Sequence, residues 1–436
     1  MLPHSLTATL EEQTTRAVTR RLVPFLFLLY VVCFLDRVNV GFAALQMNRD
    51  LGLSAAAYGL GAGILFLGYA LFEIPSNVIL ARIGARRWIA RIAITWGLLS
   101  SAMMFVTGPK SFYALRFLLG VAEAGFFPGI IFYLGTWFPA ARRAWAISWF
   151  MTAIPMSAVI GGPVSGALLS LNGRLGLAGW QWLFLLEGLP SVLLGVVAFF
   201  YLTDRPADAR WLTVEQSEWL SDTLRSEQER NADRHAFGLR RALSLGIVWQ
   251  LGLVYALGGI GTYGLALWLP QIVKGLSDVS DFQVGVITAA PSIAGVVAMI
   301  LVARNSDKTG ERAVHVAACG LAAAVGFLAS AYLDTPLYAL IALGLAAAGV
   351  NARFGPFWAM PPVFLSNEAA AGGIALINSL GAISGFVAPY AVGIVRDMTG
   401  SFRGGLIFLA LAMAASSVLA LRLRRSSLLT PAGQSA

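Results

Sequence analysis

Charged residues are scarce in this sequence: they make up 12% of its 436 residues, against about 25% in an ordinary soluble domain. Its two cysteines, Cys33 and Cys319, both lie in apolar runs, which excludes a disulfide framework. Three scattered histidines predict no metal cluster. A Walker A loop is also lacking, so we expect no coupling to ATP within this chain, no metal and no cofactor.

Apolar residues are abundant instead, at 58% of the total. They form runs of about 20 residues, the length that crosses the hydrocarbon core of a bilayer. This pattern predicts an all-α membrane protein with twelve transmembrane helices. The predicted spans are 22–43, 56–81, 88–107, 112–137, 144–170, 180–202, 244–270, 282–303, 313–333, 336–358, 371–395 and 401–421.

The net charge of +9 is explained by membrane topology. If the N-terminus is cytoplasmic, 22 of the 31 Lys and Arg lie in or beside cytoplasmic segments, and six lie in or beside periplasmic loops. This bias follows the positive-inside rule. We therefore predict a multi-pass protein of a bacterial inner membrane with both termini in the cytoplasm. Because no basic motif with interleaved aromatic residues occurs, we expect no nucleic-acid partner.

A single long polar stretch inside the chain, 203–243, divides the spans into six and six. The predicted organisation is a cytoplasmic tail at 1–21, a six-helix bundle at 22–202, a cytoplasmic linker at 203–243, a second six-helix bundle at 244–424 and a cytoplasmic tail at 425–436. Within the linker, Thr213 and Gln216 resemble a capping box and predict a short helix that ends near Arg230. We expect this helix to be solvated; the alternative is that its apolar residues lie on the membrane or against the bundle.

Glycine and proline residues recur at matching positions in the two halves, at an offset of 226 residues. Gly84 follows the second span and Gly310 follows the eighth, while Pro163 in the fifth span pairs with Pro389 in the eleventh. Such internal repetition predicts two homologous six-helix bundles. Parallel halves that meet around a cavity at mid-membrane are the layout of rocking-type secondary transporters.

Four charged residues interrupt the apolar runs. Asp36 and Arg37 are adjacent in the first span, and Arg116 and Glu123 are seven residues apart in the fourth. That spacing is about two helical turns, or roughly 10 Å, on one face of the helix, so we expect both side chains to face one cavity. Charges at this depth are costly and mark functional sites. The sequence predicts one cluster of four charges, with a purely structural ionic network as the alternative.

Three more charged residues lie inside or near spans. Arg353 either faces the cavity and grips a second carboxylate of a ligand, or extends to the membrane surface. Glu73 and Glu187 are expected near the ends of their spans, where interfacial water or arginines of the loops satisfy them.

The sequence resembles the major facilitator superfamily, and within it the anion:cation symporter branch that carries organic acids. The resemblance rests on FLDRVNVGFAALQMN, GYALFEIPSNVILARIGARRWIARI, LRFLLGVAEAGFFPGIIFYLGTWFP, GWQWLFLLEGLP and GPFWAMPPVFLS, which cover both halves. It implies that Asp36 and Glu123 are protonatable coupling groups. It further implies that Arg37 and Arg116 act on the substrate anion or on the coupling network.

The same resemblance assigns three further cavity positions, Tyr69, Trp358 and Asn378, which match those of galactonate-type carriers. Two positions depart from that pattern. Phe34 stands where those carriers often place Tyr, and Gly355 stands where they place Ser. Both changes remove hydroxyl groups, which disfavours recognition of a polyol sugar acid.

The function expected from these features is import of a small organic anion with protons, in a monomeric, non-enzymatic carrier embedded in the lipid bilayer. The resemblance is nearest to tartrate-like and phthalate-like permeases, which favours a hydroxylated dicarboxylate. Exchange or export remains an alternative, because GGPVSG in the fifth span partly resembles an antiporter motif. A non-transporting membrane sensor is a further alternative, disfavoured by the short tails.

Overall fold

A computed structural model describes residues 4–231, 244–361 and 367–424 of the chain. This described part contains 12 helical spans long and apolar enough to cross a membrane, as the apolar runs predict. The helices are His4–Val38 with Val40–Asp50 (span 1), Ala55–Ile83 (span 2), Ala85–Ala102 (span 3), Pro109–Glu123 with Phe126–Gly135 (span 4), Ala140–Met151 with Ala153–Leu169 (span 5), Gly179–Tyr201 (span 6), Gly246–Leu276 (span 7), Asp281–Thr309 (span 8), Ala313–Tyr332 (span 9), Pro336–Ala352 with Phe354–Trp358 (span 10), Asn367–Thr399 (span 11) and Arg403–Arg424 (span 12).

The first helix begins at His4 and therefore runs through most of the tail predicted at 1–21. Neither Gly nor Pro occurs between His4 and Leu22, so nothing ends the helix before it enters the membrane. Val18 and Leu22 are buried against the rest of the protein. The predicted tail at 425–436 lies outside the described residues.

The linker helix, Val214–Asn231, begins at the predicted capping box, in which Thr213 Oγ1 accepts from the Gln216 backbone N–H at 3.3 Å. The expectation that it is solvated is wrong. Leu220 and Leu224 are buried, and Glu227 pairs with Arg143 at 3.2 Å. The helix therefore packs against the end of the first bundle through Leu220 and Leu224 and pairs with it through Glu227.

The repeat is visible in the backbone. Gly84 and Gly310 both follow the last residue of a helix, with φ of 100° and 71°, a region that favours glycine. Pro163 and Pro389 both lie inside helices. The two halves thus repeat the same helix ends at the offset read from the sequence.

The halves meet closely at one end of the molecule, where the loop from Leu51 to Ser54 lies. A Cβ atom at Gly59 in span 2 would lie 2.2 Å from the Pro389 carbonyl oxygen in span 11. At the repeat-related position, a Cβ at Gly285 in span 8 would lie 2.2 Å from the Gly162 carbonyl oxygen in span 5. Small residues allow these backbones to touch. This end is therefore closed by two pseudosymmetric helix contacts.

Polar contacts reinforce the same closed end. The Asp397 carboxylate of span 11 accepts from the backbone N–H groups of Ala55 and Ala56, at 2.9 and 2.8 Å. It thereby caps the first turn of span 2 across the boundary between the halves. Gln46 in span 1 donates to Asp281 at the start of span 8, at 2.8 Å.

Candidate functional site

An ion pair joins span 1 to span 4, where the Arg37 guanidinium contacts the Glu123 carboxylate. Glu123 ends the first helix of span 4, because the chain turns at Ala124 and Gly125 before the second helix begins. Gly125 has φ of 83°, which favours glycine, and a Cβ there would lie 2.3 Å from Ser76 Oγ. Interrupted helices at membrane depth are tolerated where they are buried in protein or line a cavity.

A small cavity lies between the halves on the Arg37 side of this pair. Arg37 lines it with 14% of its side chain exposed, whereas Glu123 is completely buried. The guanidinium lies 5.7 Å from the ring centre of Phe34 and 5.5 Å from that of Tyr69. The other lining residues are Phe34, Val38, Phe66, Thr262, Tyr263, Ala266 and Leu267. The cavity is thus largely apolar, with a cation contributed by the first half.

Arg353 places a second cation beside this cavity, from the second half. It is completely buried, and its Nη2 donates to Thr262 Oγ1 in the cavity wall at 3.2 Å. Because a buried guanidinium does not reach the membrane surface, the snorkelling alternative is wrong. Its Nε and Nη1 have no hydrogen-bond partner, and no carboxylate among the described residues pairs with it. Gly258 makes room for it, since a Cβ there would lie 2.1 Å from Nη1.

The three positions assigned by resemblance occupy different parts of this region. Tyr69 faces Arg37, as described above. Asn378 in span 11 donates to Glu73 in span 2 at 3.5 Å, a hydrogen bond between the halves. Trp358 packs against Tyr255 of span 7, with ring centres 5.0 Å apart. Among the described residues, Glu73 is therefore bonded to Asn378 and forms no ion pair with a loop arginine, which is one of the two partners expected.

Asp36 lies on another side of span 1. Its Oδ1 accepts from Ser100 Oγ in span 3 and its Oδ2 from Ser191 Oγ in span 6, both at 2.7 Å. The side chain is completely buried. Asp36 is thus part of the interior of the first bundle, apart from its neighbour Arg37.

Arg116 is also separate from the ion pair. Its Nε donates to the Gly61 carbonyl oxygen at 3.3 Å, and its Nη2 to that of Ala62 at 3.1 Å, both in span 2. The expectation of one four-charge cluster is therefore wrong. Helical periodicity places Arg116 and Glu123 on one face, but each side chain turns to a different neighbouring span.

The structure also corrects the expectation for Glu187. This residue lies eight positions after Gly179 in span 6, about 12 Å along the helix, and is 4% exposed. Its Oε1 accepts from Ser165 Oγ of span 5 at 2.7 Å. Interfacial water and loop arginines therefore do not satisfy it.

Thr262 and Tyr263, the two lining residues with hydroxyl groups, were not singled out from the sequence. A signal was nevertheless present, because Tyr263 follows Arg37 by the repeat offset of 226 residues. Arg37 and Tyr263 both line the cavity, Arg37 from the first half and Tyr263 from the second.

A family model described as the Major Facilitator Superfamily matches residues 26–389. The chain belongs to the major facilitator superfamily. The resemblance read from the motifs is thereby confirmed, and with it the expectation that this multi-pass membrane protein is a transporter and not an enzyme. The structure agrees with that of a bacterial homologue of the human lysosomal transporter Spinster, at a TM-score of 0.72 and 18% identity over 93% of this chain and 95% of that one.

Two relatives of this major facilitator protein have names that state what they transport or resist. A protein of Agrobacterium vitis named "Putative tartrate transporter" is 52% identical over 96% of both chains. A "Quinolone resistance transporter" of Acinetobacter baumannii is 43% identical over 92% of this chain and 93% of its own. These names describe the relatives and point to different classes of substrate.

Proposed function

We propose that this transporter imports a small organic anion together with protons by alternating access. The observation that carries the proposal is the Arg37–Glu123 ion pair beside the cavity. Protonation of Glu123 removes its charge and leaves the Arg37 cation unpaired. A substrate carboxylate can then take the place of Glu123, because guanidinium offers two parallel donors to a carboxylate. Proton and anion thus bind together, and the net charge around Arg37 does not change.

Arg353 supports a substrate with two carboxylates. It has unpaired donors and lies behind Thr262, on the half opposite Arg37. We assign Arg37 to one carboxylate and Arg353 to the second, with Tyr69, Trp358 and Asn378 as further substrate contacts. Arg116 has a supporting role here, because it fixes span 2 through backbone carbonyls. The name of the Agrobacterium relative favours a dicarboxylate of the tartrate type.

The proposed topology and the proton gradient together give the direction of import. With both termini cytoplasmic in a bacterial inner membrane, the end closed by Asp397 is periplasmic. The described conformation is then closed toward the periplasm. Toward the cytoplasm, which is the less acidic side, Glu123 loses its proton and pairs again with Arg37, which expels the anion.

Transport by purified protein in proteoliposomes tests this function. We expect a panel of mono- and dicarboxylates that includes tartrate to show accumulation driven by an inward proton gradient. Glu123→Gln should retain exchange of labelled for unlabelled anion and lose gradient-driven accumulation, whereas Glu12→Gln, an exposed control, should behave as wild type. Accumulation by Glu123→Gln would remove Glu123 from the coupling role.

A second candidate is export of a drug-like compound, favoured by the quinolone-resistance relative and by the glycines of span 5. Under this function, expression of the chain lowers quinolone accumulation in cells, and organic acids do not compete. Measurement of quinolone efflux in the presence of tartrate separates the two candidates.

A further inference from the structure

Two carboxylates are buried together in the first bundle, away from the substrate cavity. Asp36 is completely buried and Glu187 is 4% exposed. Ser191, which donates to Asp36 at 2.7 Å, lies four residues after Glu187 on the same face of span 6, so the two carboxyl groups are neighbours. Among the residues that the structure describes, neither forms an ion pair with Lys, Arg or His. Burial of two unpaired negative charges is far too costly for both to remain ionised.

Asn39 connects the two carboxyl groups at the interruption of span 1. Its Nδ2 donates to Asp36 Oδ1 at 3.5 Å, and the same side chain faces Glu187. Two acceptors are left over, because neither Asn39 Oδ1 nor Glu187 Oε2 has a hydrogen-bond partner in the part of the chain that the structure describes. Asn39 is 1% exposed, so bulk solvent does not satisfy it. Each of these two oxygen atoms therefore lacks a hydrogen-bond donor.

Within residues 4–231, 244–361 and 367–424, the surrounding spans supply hydroxyl groups and no compensating cation. Ser100, Ser191 and Ser165 come from spans 3, 6 and 5. The helix Ala153–Leu169 has no charged residue, and Glu187 is the single charged residue of the helix Gly179–Tyr201. On span 1 the neighbouring groups are the Cys33 thiol and Arg37, and the Arg37 guanidinium is engaged by Glu123. The arginines of span 3, at positions 86, 87 and 91, lie toward its first turns.

The donors are distributed unequally between the two carboxyl groups. Asp36 accepts from Ser100, Ser191 and Asn39, whereas Glu187 accepts from Ser165 and lies beside Asn39. Three donors stabilise an ionised Asp36. A proton on Glu187 Oε2 would donate to Asn39 Oδ1 and so satisfy both leftover atoms.

We propose that Glu187 and Asp36 form a second proton-binding site, in which Glu187 carries the proton and Asp36 the charge. The site lies on the side of span 1 away from the Arg37–Glu123 pair, so its proton does not compete with the substrate. This proposal deepens the proposed function, and its test by transport rests on that function. Movement of span 1 couples the two sites, because Asp36 and Arg37 are consecutive residues.

Infrared spectroscopy of purified protein in lipid tests the site without a substrate. Wild type should show a protonated carboxyl stretch at neutral pH that is lost in Glu187→Gln and kept in Glu218→Gln, an exposed control on the linker helix. Glutamine can accept from Ser165 and donate to Asn39, so the fold is expected to persist, and thermal unfolding checks this. An unchanged stretch in folded Glu187→Gln would overturn the proposal.

Proton counting in proteoliposomes tests the role of the site in transport. From the reversal potential, Glu187→Gln should move one proton fewer per anion than wild type while anion exchange continues. An unchanged ratio would contradict coupling through Glu187. If wild type moves no organic anion, the proposed function fails, and the infrared result still decides whether Glu187 holds a proton.

Discussion

Arg37 of span 1 and Glu123 of span 4 pair at the point where span 4 is interrupted, beside the cavity between the halves. Removal of one partner of a buried ion pair leaves an uncompensated charge and costs about 3–5 kcal/mol. We therefore expect the pair to contribute to stability and, under the proposed function, to substrate binding, and mutation of one or both residues separates these two contributions.

Arg37→Gln should lower the unfolding temperature and abolish anion binding, because it leaves the Glu123 carboxylate without its ion-pair partner and removes the guanidinium. Arg37→Gln combined with Glu123→Gln should recover stability but not binding. Arg37→Lys keeps the charge without the bidentate geometry, and we expect binding to weaken about tenfold, or about 1.4 kcal/mol. Thermal unfolding with and without anion measures the stability and the anion binding of all three variants. Recovery of binding in the double variant would argue against Arg37 as the anion site.

Anion binding should strengthen as the pH falls. Protonation of Glu123 frees Arg37, so protons and anion favour each other, and by linkage each anion bound draws in a proton. In Glu123→Gln this contribution to the pH dependence should be lost. Calorimetric titrations at several pH values check the sign; tighter binding at alkaline pH would be the contrary result.

Arg353→Gln should affect the binding of dicarboxylates and monocarboxylates differently. If Arg353 binds a second carboxylate, loss of a charged hydrogen bond weakens dicarboxylate binding by about 1.5–3 kcal/mol and leaves monocarboxylate binding unchanged. Arg304→Gln, at an exposed position in span 8, is the matched control. Equal loss for both classes of anion would assign Arg353 a structural role.

Gly59→Ala should hinder closure of the end that bears Asp397, because the new Cβ meets the Pro389 carbonyl oxygen. Gly344→Ala is the matched control, since Gly344 also lies within a helix and a Cβ there meets nothing within 4 Å. Spin-label distances between residues 52 and 400, in the loops after span 1 and before span 12, should lengthen in Gly59→Ala alone. Equal distances in the two variants would show that this contact does not control closure.

Asp397→Ala should weaken the same closed end, since loss of a helix cap costs about 1 kcal/mol. The first turn of span 2 then lacks the acceptor that Asp397 supplies to Ala55 and Ala56. The same spin-label pair should report a larger open fraction than in Asp278→Ala, an exposed control in the neighbouring loop.

The spans and the repeat were predictable because each depends on local composition. Apolar runs of fixed length determine the helices, and Gly84 and Gly310 determine where two of them end. The start at His4 was missed, because hydropathy records where a helix enters lipid and not where it begins.

The site was less predictable, because periodicity along one helix does not determine which neighbour a side chain meets. Arg116 turns to span 2 and Asp36 to spans 3 and 6, although both belong to helices that carry the ion pair. Glu187 was misjudged for the same reason, since its partners Ser165 and Asn39 are distant or inconspicuous in the sequence. Only the packing of spans 1, 5 and 6 brings them together.

The most direct test follows external pH when an organic anion is added to proteoliposomes that contain the wild-type protein. Coupling through Arg37 and Glu123 predicts that the medium becomes more alkaline in proportion to anion uptake. It also predicts that Glu123→Gln exchanges anion without this change. Anion uptake by the wild type with no proton movement would contradict symport.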